Sequence, residues 1–448
     1  MFKRKIYDKI LSWKKESDGR TALLIEGARR IGKTTIVEEF AKKEYSRYVI
    51  IDFSKVSEEF KEIFSDLLDI ERFFAKMFLA LRQPRLPEGS LIVFDEVQFC
   101  PQARQAIKHL VADGRYHYIE TGSLVSIKEN VKDILIPSEE ESIQMCPLDY
   151  EEFLWAFEMQ EEADRIREQY NANREYSIQE HNIYLRHFRE YLALGGMPKV
   201  VAEFIRTQDF YVAEKEKKNI LRIYESDLKK IDSKYGTICH TVWKQIPTML
   251  SQHCSRFNLS AINQRGDSAL FQNTLDKLEE SKMIVAVYKT MDPTGGFRLT
   301  KETTAFKLYL CDVGLFVSLI YGVNRTDVRG IYQQLILDKL GLNFGVLYET
   351  FVAQALVSNG HTPYYYSWIE KKGENSHKRY EIDFLIERNG KVAPIEVKSK
   401  NIASTTSLNA LIKKTGKTLS DKYIVSPKPY QKKEGHIRLP VYQLFALE

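Results

Sequence analysis

The segment from Thr21 to Lys43, TALLIEGARRIGKTTIVEEFAKK, constrains this chain more than any other part of it. An apolar run at Leu23 to Ile25 passes through a glycine-bearing loop into a helical pattern. Gly27-Ala28-Arg29-Arg30-Ile31-Gly32-Lys33-Thr34 matches the strand, GxxxxGK[ST], helix signature over its full length. Glycines at the two ends let backbone N–H groups turn inward on phosphate oxygens. A helix beginning near Gly32 adds its positive dipole end. Lys33 then reaches the β and γ phosphates and Thr34 offers a hydroxyl to Mg²⁺, so Gly27 through Thr35 form the candidate ATP-binding set. A chance glycine turn is the competing reading, and the flanking strand and helix both count against it.

Such a loop calls for a second apolar strand ending in acid. Ser90-Leu-Ile-Val-Phe-Asp95-Glu96 supplies it. Asp95 is expected to hold Mg²⁺ through water, and Glu96 to act as the base for the attacking water. Gln98 and Gln102 follow in a loop, where solvated polar residues are as good a reading as catalytic ones. A further strand, Tyr116 to Glu120, runs into Thr121-Gly122-Ser123. Strand and helix alternate from 20 to 130, which predicts a parallel sheet with the phosphate site at the carboxyl ends of its strands.

At 448 residues the chain exceeds one hydrophobic core and implies two to four units. With 44% hydrophobic and 28% charged residues, 22 Gly and 13 Pro, its composition excludes wholesale disorder and fibrous repeats. Apolar runs such as Met283 to Tyr288 fall far short of the roughly 20 residues that cross a bilayer. The basic start, MFKRKIYDKILSWKK, lacks the apolar core of a signal peptide, so no membrane and a cytoplasmic location are expected. Five scattered cysteines read as reduced thiols. The mirrored pairs Cys239-His240 and His253-Cys254 are too tightly spaced, on a helical stretch, to favour zinc. The net charge of +5 is uninformative until it is placed: residues 330–448 hold 17 Lys and Arg against 11 Asp and Glu. The excess belongs to the C-terminal quarter.

Residues 151 to about 230 carry helical spacing in EEFLWAFEM and IYLRHFREYLAL, broken by Gly195-Gly196-Met197-Pro198, and read as a helical lid. From Thr237 to about Leu310, helical patterns lead into short strands around Asp292-Pro-Thr-Gly-Gly, which suggests a winged helix. Its helix mixes Asp276, Glu279 and Glu280 with Lys277 and Lys282, so protein packing is favoured there over DNA reading.

The hairpin YEIDFLIERNGKVAPIEVKSK is the sharpest local geometry. Asn389-Gly390 is a preferred two-residue turn. Pairing Arg388 with Lys391 sets Phe384 against Ile395, Asp383 against Glu396, Ile382 against Val397 and Glu381 against Lys398. Alternation puts Asp383, Glu396 and Lys398 on one face. Carboxylates directly opposed on a sheet are destabilising unless compensated, and a divalent cation would compensate them. Ion pairs with Lys398 and Lys400 are the bland alternative.

In order along the chain, GARRIGKTT, LIVFDEVQ, YIETGS, CPLDYEEF, YLALGGMP and EIDFLIE...PIEVKSK resemble the bacterial AAA-type ATPases of the extended archaeal-ATPase group. The resemblance implies an α/β chain: a P-loop AAA-type ATPase core at 1–155, a helical lid at 156–235, a winged-helix-like segment at 236–312, and a restriction-endonuclease-like α/β domain at 313–448. It also implies that Thr121 or Ser123 senses the γ-phosphate. An arginine common after the sensor strand in that group is missing from SLVSIKENVKDILIPSEEESIQM. Arg29 and Arg30 read as solvated surface residues, with action on a neighbouring copy in a homo-oligomer as the alternative. The arrangement of Asp383, Glu396 and Lys398 resembles the PD-(D/E)xK nucleases. That resemblance implies metal held by Asp383 and Glu396, Lys398 activating the attacking water, and Glu349 completing the site from the helix VLYETFVAQALV. A nucleic-acid partner is expected on this basis. A non-cleaving interaction module is the alternative.

Overall fold

The computed structural model describes residues 1–122, 137–230, 236–251, 268–321, 328–339, 344–371, 377–399, 405–416, 419–433 and 435–448. It divides into two compact units, one built on Met1–Cys146 with short later segments, the other on Pro147 onward.

The first unit holds a five-stranded sheet: β1 (Ala22–Glu26), β2 (Tyr48–Asp52), β3 (Leu91–Asp95), β4 (His117–Gly122) and β5 (Glu140–Gln144). Their order is β2-β3-β4-β1-β5 and every pairing is parallel. Strands buried on both faces by crossover helices must be apolar along their length. β3, Leu-Ile-Val-Phe-Asp, is buried at every position. Phe53, Phe64, Phe73, Phe74, Phe94 and Tyr116 meet edge-on or tilted in the core beside β3. Each such side chain contributes about 1.5–3 kcal/mol through burial. The order inserts β4 between β1 and β3, which brings Thr121 between the glycine loop and the acid strand.

The second unit holds an eight-stranded mixed sheet. Its strands are β6 (Ile284–Thr290), β7 (Lys301–Leu310), β8 (Tyr364–Lys371), β9 (His377–Arg388), β10 (Lys391–Val397), β11 (Tyr423–Ser426), β12 (Gln431–Lys433) and β13 (His436–Pro440). They run in the order β12-β13-β11-β10-β9-β8-β6-β7. Helix Phe344–Ser358 is apolar nearly all round and accordingly buried along most of its length. The helix Tyr150–Ala156 starts with a capping box between Asp149 and Glu152. Gly196 permits a close approach: a Cβ there would lie 1.9 Å from the Leu148 carbonyl oxygen. Its N–H donates to Asp312 Oδ2 at 2.6 Å.

The sheet pairing bears on the segment expected at 236–312. β6 and β7 do pair as an antiparallel ribbon, but β6 also pairs in parallel with β8. The ribbon is therefore the edge of the large sheet rather than the wing of a separate unit at 236–312. The border expected at 312 falls inside one unit, as does that between 155 and 156. Local hairpin patterning cannot reveal a partner strand some 75 residues downstream, which is why the segment reads as a wing in sequence. Cys100, Cys146, Cys239 and Cys311, the described cysteines, are all thiols outside any disulfide; His253 and Cys254 lie outside the described residues.

Candidate functional site

Gly27 and Gly32 both take positive φ, 154° and 94°. At Gly27 a side chain is excluded twice over, since a Cβ would come within 2.4 Å of Ile31 Cδ1 and of the Met145 carbonyl oxygen. Helix Lys33–Glu44 begins directly after Gly32. Lys33 is buried and its ammonium donates to the loop's own carbonyls, Gly27 O at 3.0 Å and Ala28 O at 2.9 Å. Burial lowers its pKa to about 8, against the opposing pull of Glu96 and Asp95. Ala28 and Ile31 are buried, Arg29 is half-buried, and Arg30 and Thr35 are exposed.

Asp95, at the carboxyl end of β3, is 3% exposed. It accepts from the Thr34 hydroxyl at 3.1 and 3.0 Å and from the Thr121 hydroxyl on β4. Burial raises its carboxyl above the ordinary range, opposed by those two hydroxyls. Glu96 follows with φ of 54°, a left-handed conformation uncommon for a residue with a side chain. Its carboxylate accepts from the Gln98 amide. Thus Lys33, Thr34, Asp95, Glu96 and Thr121 belong to one site. Hard oxygens on adjoining Thr34 and Asp95, beside a loop with a buried lysine, suit a Mg²⁺-bound triphosphate. Ser123 lies outside the described residues.

Arg4 supports the same loop, a role that the sequence does not announce. Its guanidinium, 7% exposed, donates to Ile31 O at 3.0 Å and Cys146 O at 2.6 Å. The basic run Phe2 to Lys5 gives no signal for this, because the partners lie 27 and 142 residues away.

In the second unit the hairpin turns at Asn389-Gly390, both with positive φ, and pairs Arg388 with Lys391 through Phe384 with Ile395 as the sequence predicts. Beyond that point the ladder departs from expectation. On the other side of β9, Tyr364 pairs with Leu385 and Tyr366 with Ile382, so β9 carries one extra residue at Asp383-Phe384. Asp383 Oδ2 accepts from the Val397 N–H at 2.8 Å, and the Lys398 N–H goes to Val425 O at 2.9 Å. The expected pairs Asp383–Glu396, Ile382–Val397 and Glu381–Lys398 are not ladder pairs.

The acids there take separate partners. Glu396, 1% exposed, has Lys398 Nζ at 3.3 Å, and burial raises its carboxyl. Glu349, on helix Phe344–Ser358, accepts from the Tyr309 hydroxyl at 2.9 Å. Lys307 on β7 lies 2.8 Å from Glu381 and 3.9 Å from Glu349. Burial and the nearby Glu349 push the Asp383 carboxyl up to about 7. Among the described residues no three His, Cys, Asp or Glu side chains are grouped so as to hold a metal ion. Glu349 and Asp383 thus accept from Tyr309 and the Val397 amide, whereas both Glu396 carboxylate oxygens are buried with no hydrogen-bond partner beside the Lys398 ion pair. Lys307 carries no signal in the sequence, where it looks like one polar position in an edge strand.

Residues 19–154 match the family model described as an AAA domain. The glycine loop, the acid strand and the five-stranded sheet all lie within this matched segment. Residues 185–327 and 344–444 match two domains of unknown function, DUF8612 and DUF4143. No curated protein matches the chain. The Walker-type ATPase PABY2304 of Pyrococcus abyssi shares 16% identity with it over 71% of this chain and 96% of that one, with a TM-score of 0.42. Cdc6p from Pyrobaculum aerophilum shares 12% over 75% and 94%, at 0.25. The STAND protein PH0952 from Pyrococcus horikoshii shares 11% over 80% and 49%, at 0.28. At scores this low, none of the three says what this chain does. No described helix is long and apolar enough to cross a membrane.

Proposed function

We propose that the protein hydrolyses ATP with Mg²⁺ at the Lys33–Thr34–Asp95–Glu96 site and couples turnover to a C-terminal unit that handles nucleic acid. The observation that carries the first part is the Asp95 carboxylate held between the hydroxyls of Thr34 and Thr121, beside the buried ammonium of Lys33. On ATP binding the Lys33 ammonium exchanges the carbonyls of Gly27 and Ala28 for β- and γ-phosphate oxygens. Thr34 and Asp95 would hold Mg²⁺, which would supply positive charge against the phosphates. Glu96, steadied by Gln98, accepts the proton of the attacking water at its carboxylate. Thr121, or Ser123 just after it, registers the γ-phosphate.

The second part rests on the basic excess of residues 330–448 and on the likeness of Asp383, Glu396 and Lys398, read in sequence, to the PD-(D/E)xK pattern. A second reading, a nucleotide-dependent switch whose C-terminal unit binds without cutting, is favoured by the separate partners of Glu349 and Glu396. The test is ATP turnover with and without single-stranded DNA, duplex DNA and RNA. Stimulation by one form is expected, and no response to any of them would refute the coupling. Nicking by the wild type with Mg²⁺ or Mn²⁺ that vanishes in Asp383→Ala would reject the second reading.

A further inference from the structure

The acid cluster on the large sheet already contains a cation. Lys307 extends from β7, with 6% of its side chain exposed, to within 2.8 Å of Glu381 Oε1 and 3.9 Å of Glu349 Oε2. Two residues along the same strand, Tyr309 donates to that Glu349 oxygen at 2.9 Å. Arg379 takes the other Glu381 oxygen at 3.1 Å, and Asp383 Oδ2 is bonded to the Val397 amide at 2.8 Å. The buried Lys307 side chain is thus flanked by carboxylates from β9 and from the helix Phe344–Ser358.

We infer that the Lys307 ammonium is the resident cation of the Glu349–Glu381–Asp383 cluster, and that the cluster thereby refuses Mg²⁺ and Mn²⁺. A divalent ion needs several oxygens at about 2.0–2.6 Å. On each of these acids at least one oxygen is committed to a donor within the unit. The incoming ion would also stand against a buried positive charge that bulk water does not screen. An ammonium can balance opposed carboxylates as a metal would, but it cannot polarise a phosphodiester as a Lewis acid does.

This inference deepens the non-cleaving reading of the C-terminal unit. Its test is separable, because the nucleic-acid coupling is read in ATP turnover and this is read in metal binding. Mn²⁺ is titrated by electron paramagnetic resonance into the nucleotide-free full chain carrying Asp95→Asn, which disables the N-terminal acid. With Lys307 intact we expect no site tighter than about 1 mM. Lys307→Met, close in length but uncharged, should gain one Mn²⁺ site at least about tenfold tighter, and adding Asp383→Asn should abolish it. An Asp383-dependent Mn²⁺ site with Lys307 in place would overturn the inference, and so would a folded Lys307→Met protein that gains none. If Lys307→Met does not fold, the Lys307-intact chains with and without Asp383→Asn decide: matching isotherms are expected, and a site lost with Asp383 refutes.

Discussion

The Thr34 hydroxyl bridges both carboxylate oxygens of Asp95, at 3.1 and 3.0 Å. The first turn of the helix after the glycine loop is thereby tied to the end of β3. Parallel strand order makes this pairing possible, since β4 alone separates β1 from β3 and contributes Thr121 to the same carboxylate. The same hydroxyl and carboxylate are the oxygens that would hold Mg²⁺.

Lys33 makes ATP binding proton-linked. Burial lowers its pKa to about 8, so about half of the free protein lacks this charge at pH 8. Phosphate oxygens favour the charged form, hence binding takes up protons. Affinity should fall as pH rises above about 8 and be insensitive to this group well below it. Titration calorimetry at pH 8 in two buffers of different ionisation enthalpy should show an uptake of up to about half a proton that Lys33→Arg removes. Equal apparent enthalpies in the two buffers would disprove the linkage.

Arg4 is a positioning residue for the loop. Arg4→Ala removes donors to Ile31 O and Cys146 O and should cost about 2–3 kcal/mol of stability in urea unfolding. At temperatures where the variant stays folded, KM for ATP should rise about tenfold with kcat within about twofold of wild type. A merely structural role would lower stability and leave KM unmoved.

Gly196 is fixed by proximity and Gly360 by backbone conformation alone. Gly196→Ala drives a Cβ to 1.9 Å from Leu148 O, whereas at Gly360, with φ of 86°, nothing stands within 4 Å. Denaturant unfolding should show a loss of about 3 kcal/mol for the first and about 1 kcal/mol for the second. Equal losses would mean that the backbone around Gly196 yields freely.

How far the sequence could be read depends on how local the determinants are. The phosphate loop, the acid strand and the Asn389-Gly390 turn are each set by neighbours within a few residues, and each stands where the pattern puts it. The hairpin register holds as far as Phe384 and Ile395, where the β9–β10 ladder ends beside a register shift between β8 and β9. Pairing of β6 with β8 and the approach of Lys307 to Glu349 and Glu381 depend on chain segments far apart in sequence. Arg4 belongs with them. No periodicity records such contacts.

The central claim is tested most directly by phosphate release from Mg-ATP in wild type and Glu96→Gln, with nucleotide binding measured on the same preparations. The account predicts that the wild type turns over and that Glu96→Gln binds ATP with similar affinity yet hydrolyses it about 10²–10⁴-fold more slowly. Turnover unchanged in Glu96→Gln, or a wild type that binds ATP and never hydrolyses it, would contradict it.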